Sequence, residues 1–147
     1  MIIPDVNLLL YAHDEGSNFH AKALPWWVDL AKRAVPVALP WVVALGFIRI
    51  ATHPRIQRVP IAPSRALDVV EGWLQQDHIR LLEPGPRHLL IVRQLFEATG
   101  VAANLTTDAH LAALAIEHGL VLASTDGDFA RFAGVRFENP LAGPTDS

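Results

Sequence analysis

The chain is 147 residues with 12 Lys+Arg against 15 Asp+Glu and a formal charge of −3, the usual size of one domain and a balance that excludes a broad basic surface for indiscriminate adhesion to nucleic acid. Hydrophobic residues make up 51% and charged residues 18%, which excludes a disordered chain, and no apolar run approaches the ~20 residues of a membrane helix. Cysteine is absent, removing disulfides, thiolate ligands and cysteine nucleophiles together; with no basic run before an apolar block at the start, a cytoplasmic location away from membranes is the expectation.

Read in chain order, Met1 to Pro4 suits a brief buried strand, followed by a helix over Asn7-Leu8-Leu9-Leu10-Tyr11-Ala12 capped near Asp5 or Asn7. Phe19 to Arg33 reads as helix, Val35 to Leu39 as a second strand, and Pro40 sits well before a helix from Trp41 to about Thr52. Ser64 to Gln76 has helical apolar spacing with Ser64 as its cap, and Leu81-Leu82 reads as a very short third strand. Arg87 to Ala98 predicts a helix closed by Gly100, Thr107 to His118 another closed by Gly119, and Leu120 to Ala123 a strand covered on both faces. This alternation predicts a three-layer α/β/α sandwich with a mainly parallel sheet, one domain over 1–142 and a short tail over 143–147.

In open parallel sheets the ligand crevice lies beyond the carboxyl ends of the strands. Asp5 follows the first strand, Asp126 follows the strand at 120–123, Asp128 stands two residues on, and Asp108 falls in the first turn of a helix that leads into that strand. Each acid taken singly also has a structural role open to it: Asp5 as a cap, Asp108 as a complement to the helix dipole, Asp126-Gly127-Asp128 as a turn. Meeting at one edge, they would repel unless protonated or neutralised, and a divalent metal is the natural neutraliser. Oxygen-only ligands select hard ions, and Mg²⁺ held by carboxylates serves phosphoryl chemistry by activating water. No P-loop, dinucleotide glycine signature or serine nucleophile elbow competes.

Pro4-Asp5-Val6-Asn7-Leu8-Leu9-Leu10-Tyr11, Asp108-Ala109-His110-Leu111-Ala112-Ala113-Leu114-Ala115 and Ser124-Thr125-Asp126-Gly127-Asp128-Phe129-Ala130-Arg131-Phe132 together resemble the PIN-domain ribonucleases, specifically the VapC toxins of type II toxin–antitoxin modules. Leu39-Pro40-Trp41, Phe47-Ile48-Arg49, Thr52-His53-Pro54-Arg55 and Phe137-Glu138-Asn139-Pro140-Leu141 extend the likeness over nearly the whole chain. The resemblance implies an endoribonuclease dependent on Mg²⁺ or Mn²⁺, with Asp5, Asp108 and Asp126 as catalytic acids and Asp128 joining them as metal ligands. It further implies a cognate VapB antitoxin as partner, RNA as substrate and a homodimer. One departure stands out, because many PIN domains carry a Glu in the second conserved helix where this chain has Gly46. Asp128, Asn7 or Glu15 are the candidates to make up for it.

Asn7, Arg49, His53 and Arg55 are candidate RNA contacts, with Arg58 close by, and solvated or acid-paired roles are equally open to the cations. Trp26, Trp27, Trp41 and Trp73 suit core or protein interface better than base stacking. None of the seven histidines has metal spacing, so surface or cap roles are expected. Two rival functions remain. An aspartate-nucleophile phosphohydrolase would want a second acid where Asn7 stands; a non-catalytic PIN-fold module binding antitoxin or RNA draws its support from Gly46.

Overall fold

The structure is a computed structural model that describes residues 1–100 and 102–142. Among these, five strands form one wholly parallel sheet in the order β3-β2-β1-β4-β5. The strands are β1 (Ile2–Pro4), β2 (Val37–Pro40), β3 (Ile79–Leu82), β4 (Val121–Ala123) and β5 (Arg136–Glu138). The helices are α1 (Val6–His13), α2 (His20–Lys32), α3 (Trp41–Ala51), α4 (Pro63–Leu74), α5 (His88–Thr99) and α6 (Thr106–His118). From β1 the chain steps outward through β2 to β3, then crosses back to β4 and β5 on the other side. Right-handed crossovers therefore place α1–α4 on one face and α5–α6 on the other, in keeping with α1 packing on α2 and α3, and α5 on α6. This is the three-layer α/β/α sandwich that the alternation predicts.

Central strands covered on both faces must be apolar throughout, and Ile3, Val37, Leu39 and Leu122 are fully buried. Over them lie Val43, Ala44 and Phe47 of α3 on one face and Ala109 with Leu111 to Ala115 of α6 on the other. The run of alanines brings α6 close to the sheet. Phe47 stacks edge-on against Trp73 at 4.7 Å and against His13 at 5.5 Å.

Several boundaries differ from the sequence reading for local reasons. Helix α4 begins at Pro63 with Ala62 as its N-cap, not at Ser64, because proline's fixed φ suits the first helical position and no side-chain cap forms there. Strand β3 is four residues rather than two, with Arg80 and Leu81 exposed on opposite faces, as the edge of the sheet permits. Strand β5 was not expected: Arg136-Phe137-Glu138 offers one half-buried apolar residue between two charges, as an edge strand permits. Gly100 and Gly119 close α5 and α6 at φ +73° and +66° as expected. Val101 and the predicted tail 143–147 lie outside the described residues.

The aromatic and histidine expectations divide. Trp73 is core, Trp26 and Trp27 are half-buried against it, and Trp41 is exposed. His88 and His110 depart from the expected surface roles. They pair across the α5–α6 contact, ring nitrogen to ring nitrogen at 2.8 Å, leaving His88 Nδ1 buried with no partner among the described residues.

Candidate active site

The change of winding direction puts the topological switch point between β1 and β4, and the carboxyl ends of those two strands open the crevice there. Asp5 leaves β1 at that point and caps α1. Its backbone is extended (φ −72°, ψ 152°), one carboxylate oxygen accepts from the Val6 N–H at 2.8 Å, and its own N–H donates to the Ala123 carbonyl at 2.8 Å. The other carboxylate oxygen accepts from Ser124 Oγ at 2.7 Å. Cap and site are thus the same side chain used through two different oxygens.

Ser124 is fully buried, and its hydroxyl oxygen also accepts from the Asp126 backbone N–H at 3.0 Å. A single hydroxyl therefore ties the acid after β1 to the acid after β4. Asp126 next caps a 3₁₀ turn over Gly127–Arg131, its carboxylate accepting from Asp128 N–H at 2.9 Å. Asp128 is exposed and lies 3.6 Å from the Arg131 guanidinium. Sequence reasoning quoted Ser124 inside a motif but gave it no role; the available signal was a polar residue continuing a buried apolar strand, which needs a partner.

Helix α6 ends at His118 just before β4 starts, so its first turn, with Asp108, rises to the crevice. Burial foremost, and then the charges of Asp126, Asp5 and Asp128, push the Asp108 carboxyl up to about 6, while Arg131 pulls the other way. Asp5 is raised as well, chiefly by burial, against the lowering hydrogen bonds from Ser124 and Val6 and with a further push from Asp126. The structure therefore brings Asp5, Asp108, Asp126 and Asp128 into one negative field.

Among the described residues no group of three or more His, Asp or Glu side chains stands ready to hold a metal ion as arranged. The acids share a field rather than a finished coordination sphere. All-oxygen donors with uncompensated charge nevertheless fit a hard divalent cation that retains several of its waters.

The other candidates lie apart or open. Asn7 occupies the first turn of α1, half-buried, two residues from Asp5. Arg49 is in the last turn of α3 and His53 and Arg55 in the turn beyond, where His53 Nδ1 accepts from Arg55 N–H. That end of α3 is about 12 Å along the axis from its start at the carboxyl edge, and the cation that acts on Asp108 is Arg131. Glu15 follows the C-terminal end of α1, the opposite end from Asp5, beside His13. A Cβ at Gly46 would meet Val6 Cγ2 at 3.5 Å, an ordinary contact, so there is room for a Cβ at that position.

The PIN domain family model matches residues 2–135. Ribonuclease VapC33 of Mycobacterium tuberculosis is 43% identical over 141 residues, spanning 96% of this chain and 99% of the relative. The chain belongs to the VapC family of PIN-domain ribonucleases. A second VapC relative, Ribonuclease VapC37 of the same organism, is 39% identical over 97% of this chain and 99% of its own length. Solved structures show the same fold. VapBC2 from Rickettsia felis, bound to a DNA fragment from its promoter, superposes with a TM-score of 0.67 at 17% identity, covering 95% of this chain and 98% of that one. Mycobacterium tuberculosis VapC20, a toxin that cleaves the sarcin–ricin loop, gives 0.63 at 20% identity over 92% and 99%.

Proposed function

We propose that this VapC-family chain is the toxin of a type II toxin–antitoxin pair, an endoribonuclease that hydrolyses RNA phosphodiester bonds at the crevice of Asp5, Asp108, Asp126 and Asp128 with Mg²⁺ or Mn²⁺. The observation that carries this reading is the Ser124 bridge, which ties the Asp5 carboxylate after β1 to the backbone of Asp126 after β4 at the switch point of the sheet. When bound, the cation supplies an activated water and stabilises the attacking and leaving oxygens. Asp5 is held for that task by Ser124 on one oxygen and Val6 N–H on the other. Asp108 faces it from the first turn of α6, and Arg131, kept near by Asp128, offers a fork of donors to a phosphate oxygen. Asn7, Arg49, His53 and Arg55 remain candidate RNA contacts in this reading, the last three on a surface away from the acids.

A VapB-type antitoxin and a second copy of the chain complete the proposal. Leu45, Leu67, Leu89 and Leu90 are each half or more exposed, apolar area that suits such partners. A cytoplasmic setting is part of the same proposal; among the described residues no helix is long and apolar enough to cross a membrane. Gly46 favours the second reading, a PIN-fold module that binds antitoxin or RNA without cutting. Cleavage of total RNA by the purified protein with Mg²⁺ or Mn²⁺, beside EDTA and the Asp5→Ala and Asp126→Ala variants, separates the two. Discrete fragments lost in EDTA and in both variants support the enzyme; intact RNA with folded protein supports the module.

A further inference from the structure

The carboxyl edge carries a second feature outside the acid cluster. Thr125, the residue between Ser124 and Asp126, opens one end of a surface groove walled by Asn18, Phe19 and Lys22 at the start of α2 and by Asn139 after β5. Phe19 is 46% exposed, and its ring rests on Tyr11 with centroids 4.7 Å apart and planes tilted by 33°. One face is thereby pinned and the other left open. Lys22 Nζ donates to the Leu141 carbonyl on the groove's rim at 3.5 Å and has no carboxylate partner among the described residues. Asn139 Oδ1 accepts from Leu141 N–H at 3.0 Å, which leaves its NH₂ free to donate.

A fixed aromatic face, an ammonium with no carboxylate partner among the described residues and an amide NH₂ to donate are what a single-stranded nucleotide needs: stacking for the base, a cation for the phosphate and a donor for a base edge. Leu141 and Ala142 complete the lining, while Asn18, Lys22, Thr125 and Asn139 supply polar groups that an apolar peptide would cover without pairing. On an edge that carries four carboxylates, the ammonium also gives an approaching polyanion its attractive end. We propose that this groove is the subsite for a nucleotide flanking the scissile phosphate of single-stranded RNA, the base on Phe19 and the phosphate on Lys22. This rests on the nuclease reading of the neighbouring acids.

The test is fluorescence anisotropy with a fluorescein-labelled, mixed-sequence RNA octamer in EDTA, where binding is read without cleavage. Phe19→Ala should weaken binding at least about fivefold, the low end for losing one base–aromatic stack. Lys22→Ala should weaken it and lower the slope of log Kd against log salt by about 0.7, one phosphate's share on a single strand. Lys22→Arg should restore both, and Lys32→Ala, at the far end of α2, should change neither. Groove variants that bind like the wild type overturn the subsite, as does an equal loss in Lys32→Ala or a wild type that binds no octamer; an antitoxin segment as the true occupant would give the first result. Cleavage by the wild type in Mn²⁺ is scored separately. Cutting with unaffected groove variants sinks the subsite and keeps the nuclease, whereas weakened variants without any cutting keep an RNA groove and sink the nuclease.

Discussion

Ser124 donates its hydroxyl to Asp5 at 2.7 Å across 119 residues of sequence, in a position closed to solvent. Supporting partners of this kind tune the groups they hold, and their loss typically lowers activity or metal affinity by about 10–100-fold. Ser124→Ala should therefore reduce kcat within that range with a smaller change in KM, and should weaken Mn²⁺ binding in calorimetry. An Ala variant with wild-type kcat and metal affinity would show that the bridge holds the fold and not the chemistry.

Asp108 predicts a pH effect of definite sign. Its carboxyl rises from 3.8 to about 6 on folding, so the stability it lends is full below the unfolded value and is lost as pH rises through the folded one. Metal-free protein should lose melting temperature between pH 5 and pH 7.5 through this group. Asp108→Asn should melt higher than wild type at pH 7.5 and equal to it near pH 4; after discounting for partial exposure, the gain is of order 1 kcal/mol. Mn²⁺ should raise the wild-type Tm at pH 7.5 and leave Asp108→Asn almost unmoved. The same Tm for variant and wild type at pH 7.5 without metal would contradict the shared field.

Gly46 lies inside α3 with room for a Cβ against Val6. Gly46→Ala should stabilise by roughly 0.5–1 kcal/mol through helix propensity, about 2–4 °C in Tm per kcal/mol for a chain of this size. Gly46→Glu should bind Mn²⁺ more tightly than Gly46→Gln by titration calorimetry. Equal affinities would place residue 46 out of reach of the acids.

Phe47 is fully buried and joins Trp73 and His13 over the sheet. Phe47→Ala should cost about 3–5 kcal/mol, a large part of the ~5–15 kcal/mol that holds an ordinary domain. Chemical denaturation measures it. A loss under about 1 kcal/mol would mean that the aromatic cluster repacks around the gap.

The parallel sheet was legible because buried strands are apolar without interruption, as at Leu120 to Ala123, and because glycines at 100 and 119 end their helices as only a left-handed residue readily does. The placement of Asp5, Asp108 and Asp126 at the carboxyl edge was legible because each falls where a strand or helix meets that edge. Ser124 was not, since its role depends on a partner 119 residues away. Strand β5 escaped because an edge strand needs little apolar pattern. The His88–His110 pair escaped because nothing in either helix alone tells which of its residues face the other helix.

The pairing of Ile2 with Val121 and of Pro4 with Ala123 gives the site a property in time. Asp5 and the Ser124 hydroxyl that bridges it to Asp126 stand 119 residues apart along the chain. Any nascent chain or fragment that stops short of Ser124 carries Asp5 without its bridge and without Asp126 and Asp128. The assembled crevice is therefore absent from any nascent chain on which β4 and the turn after it have not yet been made.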